Sequence, residues 1–154
     1  MEAIIFCGVQ ASGKSTFYAR RFLDSHLHIS LDVVKTRRRE KLLLQECIAA
    51  QQAFVIDNTN PTREDRARYI VPARAAGFRI IGYYFRADIK DALRRNSGRE
   101  GAARIPVPGV LGTYGRLQIP TTDEGFDELH YVFINETGEF VVSDWDVEAK
   151  HEIR

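Results

Sequence analysis

Ala3-Ile4-Ile5-Phe6-Cys7-Gly8-Val9-Gln10-Ala11-Ser12-Gly13-Lys14-Ser15 is the stretch on which the reading of this chain turns. Ala3–Cys7 is a short, unbroken apolar run, the pattern of a strand buried on both faces of a parallel sheet. Gly8 to Ser15 fits G-x-x-x-x-G-K-[ST], and the residues after it read as a helix, the context in which that motif cradles phosphate. Each residue type has a physical reason. Glycines let backbone N–H groups turn toward an anion, and the helix N-terminus adds partial positive charge. Lys14 is expected to reach the β- and γ-phosphates, and the Ser15 hydroxyl to hold Mg²⁺. Gly8, Gln10, Ala11, Ser12, Gly13 and Thr16 complete the expected nucleotide contacts.

Working outward, the spacing predicts a helix over residues 15–23, a short strand at Leu27–Ser30 and one long helix from Val33 to about Gln52, a stretch without Gly or Pro. Ala53–Ile56 is a second apolar run, closed by the turn chemistry of Asp57-Asn58-Thr59-Asn60-Pro61. Thr62 is the expected N-cap of the next helix, with Glu64 and Asp65 in its first turn. Arg79–Phe85 reads as a further core strand and Ala87–Arg95 as a helix. Residues 96–109, rich in Gly, Arg and Pro, read as a mobile loop, and Val110–Leu117 as a helix weakened by Gly112 and Gly115. Leu129–Asn135 and Glu139–Ser143 read as a hairpin around Glu136-Thr137-Gly138.

Strands alternating with helices give an α/β expectation: a P-loop NTPase or kinase fold, its mostly parallel sheet covered by helices on both faces, plus a C-terminal β-hairpin. The 154 residues are read as one domain, with a lid at about 95–109 and the hairpin at about 129–143. Ligands of such sheets sit at the carboxyl ends of the strands, where the segments after Cys7, Ser30 and Ile56 begin.

Composition narrows the setting. Cys7 and Cys47 form no C-x-x-C pair, and His26 and His28 lack partners at metal spacing, so neither a disulfide framework nor a zinc site is expected. Glu2 and the shortness of the first apolar run argue against an export signal, and no membrane span is expected, which points to the cytoplasm. Formal net charge is +1, yet residues 1–116 hold 20 Lys+Arg against 11 Asp+Glu, a balance of +9. Residues 117–154 hold 2 against 10, a balance of −8. A basic body with 17 Arg suits a polyanionic ligand, while the acidic tail must lie away from that ligand or mask part of the charge.

Asp32 follows the second strand and opens a helix, where it reads either as an N-cap or as the general base that takes the proton of an attacking hydroxyl. Lys35, one turn on, is placed to sit near Asp32 or hold a substrate phosphate. Asp57 follows an apolar strand as the acid of a Walker B segment does, which points to Mg²⁺ contact through water or support of a basic neighbour; an Asx-turn is the alternative. Asn58 beside it is a candidate acceptor contact. Arg94, Arg95, Arg99 and Arg104 fall in or beside the Gly-rich segment, where cations on a closing loop would spread the charge of phosphoryl transfer.

These residues together resemble the kinase domain of the 5′-polynucleotide kinase family of phage and of animal kinase-phosphatases. The resemblance is carried by the P-loop Gly8–Ser15, Asp32, Ile56-Asp57-Asn58-Thr59-Asn60-Pro61, Arg66-Ala67-Arg68-Tyr69, Ala73-Arg74-Ala75-Ala76-Gly77 and Arg95-Asn96-Ser97-x-Arg99. Ile105-Pro106-Val107, Pro120-Thr121 and Glu124-Gly125-Phe126 extend it over nearly the whole chain. It implies ATP and Mg²⁺ as donor and cofactor, held by Lys14 and Ser15, with Asp32 as general base. Asp57 would support the acceptor site, Arg95 would lie against adenine, and Arg99 would be the lid arginine on the donor phosphates. Lys35 stands where phage-type members carry an acceptor-binding Arg. The implied acceptor is the 5′-OH end of DNA or RNA. The 154 residues hold no counterpart of the family's phosphatase domain, and phosphatase or ligase repair partners stay open. Two alternatives remain at this point: a kinase of a small hydroxylated metabolite such as a sugar acid or nucleoside, and a nucleotide-dependent binding module without transfer activity.

Overall fold

The computed structural model describes residues 1–86, 89–99, 101 and 105–145. Its axis is β1 (Glu2–Cys7), buried from Ala3 onward. Around it follow α1 (Lys14–Arg21), β2 (Leu27–Ile29), α2 (Leu31–Val34), α3 (Arg37–Ala50), β3 (Phe54–Ile56), α4 (Arg63–Ala75) and β4 (Arg79–Phe85). The chain continues through α5 (Ile89–Ser97), α6 (Val107–Arg116), a 3-10 turn at Thr122–Glu124, β5 (Glu128–Ile134) and β6 (Phe140–Asp144). The sheet order is β2-β3-β1-β4-β5-β6. Every pairing is parallel except β5 with β6 at the edge.

Side-chain alternation along the strands builds two core layers. Ala3, Ile5, Phe54, Ile56 and Ile80 point to the side covered by Leu44 and Cys47 of α3 and by Tyr69, Ile70 and Ala73 of α4. Ile4, Phe6, Val55, Ile81, Tyr83 and Phe85 point to the other, against Phe17 and Tyr18 of α1. Phe6 and Phe17 meet edge-on with centroids 5.8 Å apart, a geometry that adds to simple area burial. Because β1 lies between β3 and β4, the loops after β1 and β3 open into one crevice at the strands' carboxyl ends.

The α/β expectation holds, and the hairpin joins the main sheet through the parallel register of β5 on β4, from Ile81↔Glu128 to Phe85↔Val132. The predicted long helix is in fact two. Lys35 turns to φ 77°, and Thr36 restarts the chain by accepting a hydrogen bond from the Arg39 amide at 3.2 Å. The predicted loop at 96–109 is shorter at both ends. Asn96 and Ser97 belong to α5, and Val107–Gly109 open α6 with Pro108 in its first turn, where the missing N–H has no helical partner to lose. Asn96, almost fully buried, clamps the connection: its Oδ1 accepts from the Ile105 amide at 2.8 Å, and its Nδ2 donates to the Ile105 carbonyl.

The acidic C-terminal quarter masks part of the basic body. Glu124 takes the Arg66 guanidinium, and Asp123 pairs with Arg63 at 3.1 Å. Glu128 pairs with Arg79 at 2.8 Å, and Asp127 lies 3.8 Å from Arg74. Much of the cationic surplus on α4 and β4 is therefore paired within the fold. Among the described residues no helix is long and apolar enough to cross a membrane.

Candidate active site

The P-loop leaves β1 at Gly8, where a Cβ would stand 2.9 Å from that of Phe85, so only glycine fits. The Gly8 amide donates to the Thr59 carbonyl at 2.9 Å, tying the loop after β1 to the loop after β3. Gly13 starts α1 with φ 97°, a left-handed conformation that glycine takes without a Cβ penalty. Lys14 is buried and folds back into the loop, donating to the carbonyls of Gly8 at 3.0 Å and Val9 at 2.8 Å. Burial pushes its ammonium down to about 8, while Asp57, Cys7 and Asp32 pull it up and Arg99 pushes it further down.

Asp57, 5% exposed, hangs from the end of β3. Its Oδ2 accepts from the Ser15 hydroxyl at 2.8 Å and lies 2.8 Å from His28 Nε2. Because a carboxylate only accepts, His28 carries its proton on Nε2 toward Asp57. The His28 ring stacks on Tyr18 with centroids 4.1 Å apart, which fixes its plane. No local signal in the sequence marks this partner, and by spacing alone His28 reads as an ordinary strand histidine. Only the register of β2 on β3, Ile29 beside Ile56, brings it to Asp57.

Asp32 lies in α2, and the capping role expected of it falls to Ser30, whose Oγ accepts from the Asp32 amide at 3.2 Å. The Asp32 side chain instead lines a cleft of about 420 Å³ together with Lys14, Ser15, Asp57, Asn58 and Arg99. Asn58 directs its amide into the protein. It accepts from the Leu31 amide at 2.9 Å, and donates to Glu40 at 2.8 Å and to Tyr69 at 3.2 Å. It thereby fixes the start of α2, so any role at the acceptor runs through the placement of Asp32. Lys35 sits exposed at the α2–α3 break and does not line the cleft; Arg37 does, anchored at 2.9 Å to Glu40 and 2.8 Å to Tyr69.

Of the other expected nucleotide contacts, Gln10 and Ala11 line the cleft. Gln10 also donates to Thr113 of α6 at 3.0 Å, and its Oε1 is buried without a hydrogen bond. Ser12 Oγ lies 3.5 Å from the Lys14 ammonium, and Thr16 is exposed as the third residue of α1. Arg99 lies beyond α5 and lines the cleft, its amide held by the Asn96 carbonyl at 3.1 Å. Arg94 is exposed on α5. Only the backbone of Arg95, within α5, is described, and Arg104 lies outside the described residues.

A further residue stiffens the site from behind. Arg66 is wholly buried, its guanidinium bound to Glu124 at 2.8 and 3.0 Å and to the Asn60 carbonyl at 2.9 Å. Asn60 in turn donates to the Phe6 carbonyl at 2.7 Å. The loop that presents Asp57 and Asn58 is thus keyed to β1 on one side and to α4 on the other.

Residues 4–110, more than half of the chain, match the family described as AAA domain. The chain belongs to that family. A curated relative, the bifunctional polynucleotide phosphatase/kinase of Schizosaccharomyces pombe, is 27% identical over 135 residues, covering 85% of this chain. The chain spans about a third of that relative's length, 33%. Among solved structures, a gluconokinase from Sinorhizobium meliloti 1021 aligns with a TM-score of 0.59 at 16% identity, over 88% of this chain and 83% of its own. Chaetomium thermophilum Kti12, solved in complex with ADP-AlF3, gives 0.59 at 17% identity over 88% and 92%. At these identities the two structures speak for the fold alone, a mostly parallel α/β sheet with helices packed on it.

Proposed function

We propose that this domain transfers the γ-phosphate of ATP to a hydroxyl group, and that the acceptor is the 5′-OH end of a nucleic acid strand. The observation that carries the reading is the position of Asp32 in the cleft that also holds Lys14, Ser15, Asp57 and Arg99. Nucleotide binding alone requires no carboxylate there. In the proposed step the acceptor O–H proton passes to the Asp32 carboxylate as the oxygen bonds to the γ-phosphorus, and the bond from that phosphorus to the β–γ bridging oxygen breaks, releasing ADP. Lys14 and Arg99 hold the phosphate oxygens on which charge develops.

The paired Ser15 hydroxyl and Asp57 carboxylate, 2.8 Å apart, are hard oxygen donors of the kind Mg²⁺ takes. Ser15 would hold the ion directly and Asp57 through a water, and the ion's chemistry there is neutralisation of phosphate charge. Support for a nucleic-acid acceptor comes from the likeness to the fission-yeast polynucleotide phosphatase/kinase and from Arg37 on the cleft wall. A small-metabolite kinase is the second reading, favoured by the shared fold of the bacterial gluconokinase. Labelling with γ-labelled ATP against 5′-OH DNA, 5′-OH RNA, nucleosides and sugar acids separates them. Label on an oligonucleotide 5′ end is the expected outcome; label on a metabolite alone refutes the nucleic-acid reading.

A further inference from the structure

A second depression, of about 370 Å³, runs between α3 and α4. Its floor is made by Leu44, Ile48, Tyr69 and Pro72, and its rim carries Arg37, Lys41 and Arg68. Arg37 lines this groove and the Asp32 cleft alike, so the two adjoin at that residue. The acidic residue within the groove, Glu40, is 2% exposed and engaged by Arg37, Asn58 and Tyr69. With Arg37 balanced by Glu40, the charge offered at the rim is that of Lys41 and Arg68, in contrast to Arg63, Arg66 and Arg79, which are paired with the acidic C-terminal quarter.

We propose that this groove is the path of the acceptor strand, taking a single-stranded nucleic acid that runs 3′ from the nucleotide phosphorylated at Asp32. The inference rests on the nucleic-acid reading above and adds the location and strandedness of the substrate. A cationic rim beside an apolar floor is what a single strand needs. Phosphates meet Lys41 and Arg68, with Arg37 at the cleft end, and bases lie on the half-buried Ile48 and Pro72 without a demand for sequence. Length agrees. At about 1.5 Å of rise per residue, Leu44 and Ile48 lie roughly 10 and 16 Å along α3 from Arg37. That distance is beyond one nucleotide seated at Asp32 and within a short strand, which advances roughly 3.4 Å per stacked nucleotide. A folded metabolite at Asp32 would leave the groove unused.

The test uses 5′-hydroxyl oligothymidylates of one to eight nucleotides, each with a 3′-phosphate, as acceptors for the whole chain. Acceptor KM is expected to fall at least about tenfold between one and four nucleotides and then level off. The pair Lys41→Ala and Arg68→Ala, both exposed positions, should cut that gain to below about threefold. It should also lower the slope of log affinity against log salt for the octamer by about 1.4, or 0.7 for each phosphate no longer neutralised. Ile48→Asn, which makes the floor polar without adding charge, should reduce the gain while leaving the salt slope close to that of the wild type. Retention of both the length gain and the salt slope in the double variant overturns the groove while leaving the kinase reading intact. Labelling of metabolites with no oligonucleotide of any length labelled overturns both together.

Discussion

Glu124→Gln is the sharpest test of how the site is held. The wild-type carboxylate grips the Arg66 guanidinium with bonds of 2.8 and 3.0 Å, and Arg66 is 0% exposed. The substitution keeps the shape and removes the charge, leaving a buried cation with neutral acceptors only: the remaining amide oxygen at 124, the Asn60 carbonyl and Cys7 Sγ. Breaking one side of such a pair costs about 3–5 kcal/mol, a large part of the roughly 5–15 kcal/mol that holds a domain folded. At about 2–4 °C per kcal/mol for a chain of this size, the melting temperature should fall on the order of 10 °C. The double change Arg66→Met with Glu124→Leu removes both charges and should recover stability to within about 2 kcal/mol of wild type. Urea unfolding followed by circular dichroism gives all three values. A cost below about 1 kcal/mol for Glu124→Gln, or a double variant less stable than the single, refutes the reasoning.

Three further expectations concern the cleft. Lys14 is pushed down to about 8 by burial, and bound triphosphate favours its charged form. Binding then takes up a proton, so ATP affinity should weaken as pH rises above 8, by up to about tenfold per unit; titrations from pH 7 to 9.5 check it, with Lys14→Met expected to be flat. His28→Phe keeps the stack on Tyr18 and loses the donor to Asp57; the Mg²⁺ needed for half-maximal nucleotide binding should rise about tenfold, with partial retention in His28→Gln. Arg99→Ala should lower kcat on the order of 10³-fold with a smaller change in acceptor KM, as steady-state kinetics would report.

What could be read from the residues was what local pattern controls. The apolar run of β1 and the glycine spacing after it carry their own geometry, and Thr62 announces its helix through the capping box it forms with Asp65. The break at Lys35 could not be read, because residues 33–52 contain no Gly or Pro and the left-handed turn there falls on a lysine. His28 needed strand order, a long-range property, to meet Asp57. Arg66 did leave a signal: it shares the inward helical face of Tyr69, Ile70 and Ala73, and a cation on such a face requires a buried partner. The overall charge asymmetry was plain, but its use in masking Arg63, Arg66 and Arg79 depended on where the acidic residues pack.

Phosphoryl transfer from labelled ATP to a 5′-hydroxyl oligonucleotide, measured in parallel with ATP binding for the wild type and Asp32→Asn, bears most directly on the proposed chemistry. The expected result is label at the 5′ oxygen, a rate loss of about 10²–10⁴-fold in the variant, and ATP affinity within about twofold of wild type. An Asp32→Asn protein that transfers phosphate as fast as wild type would contradict the assignment of this carboxylate as the base.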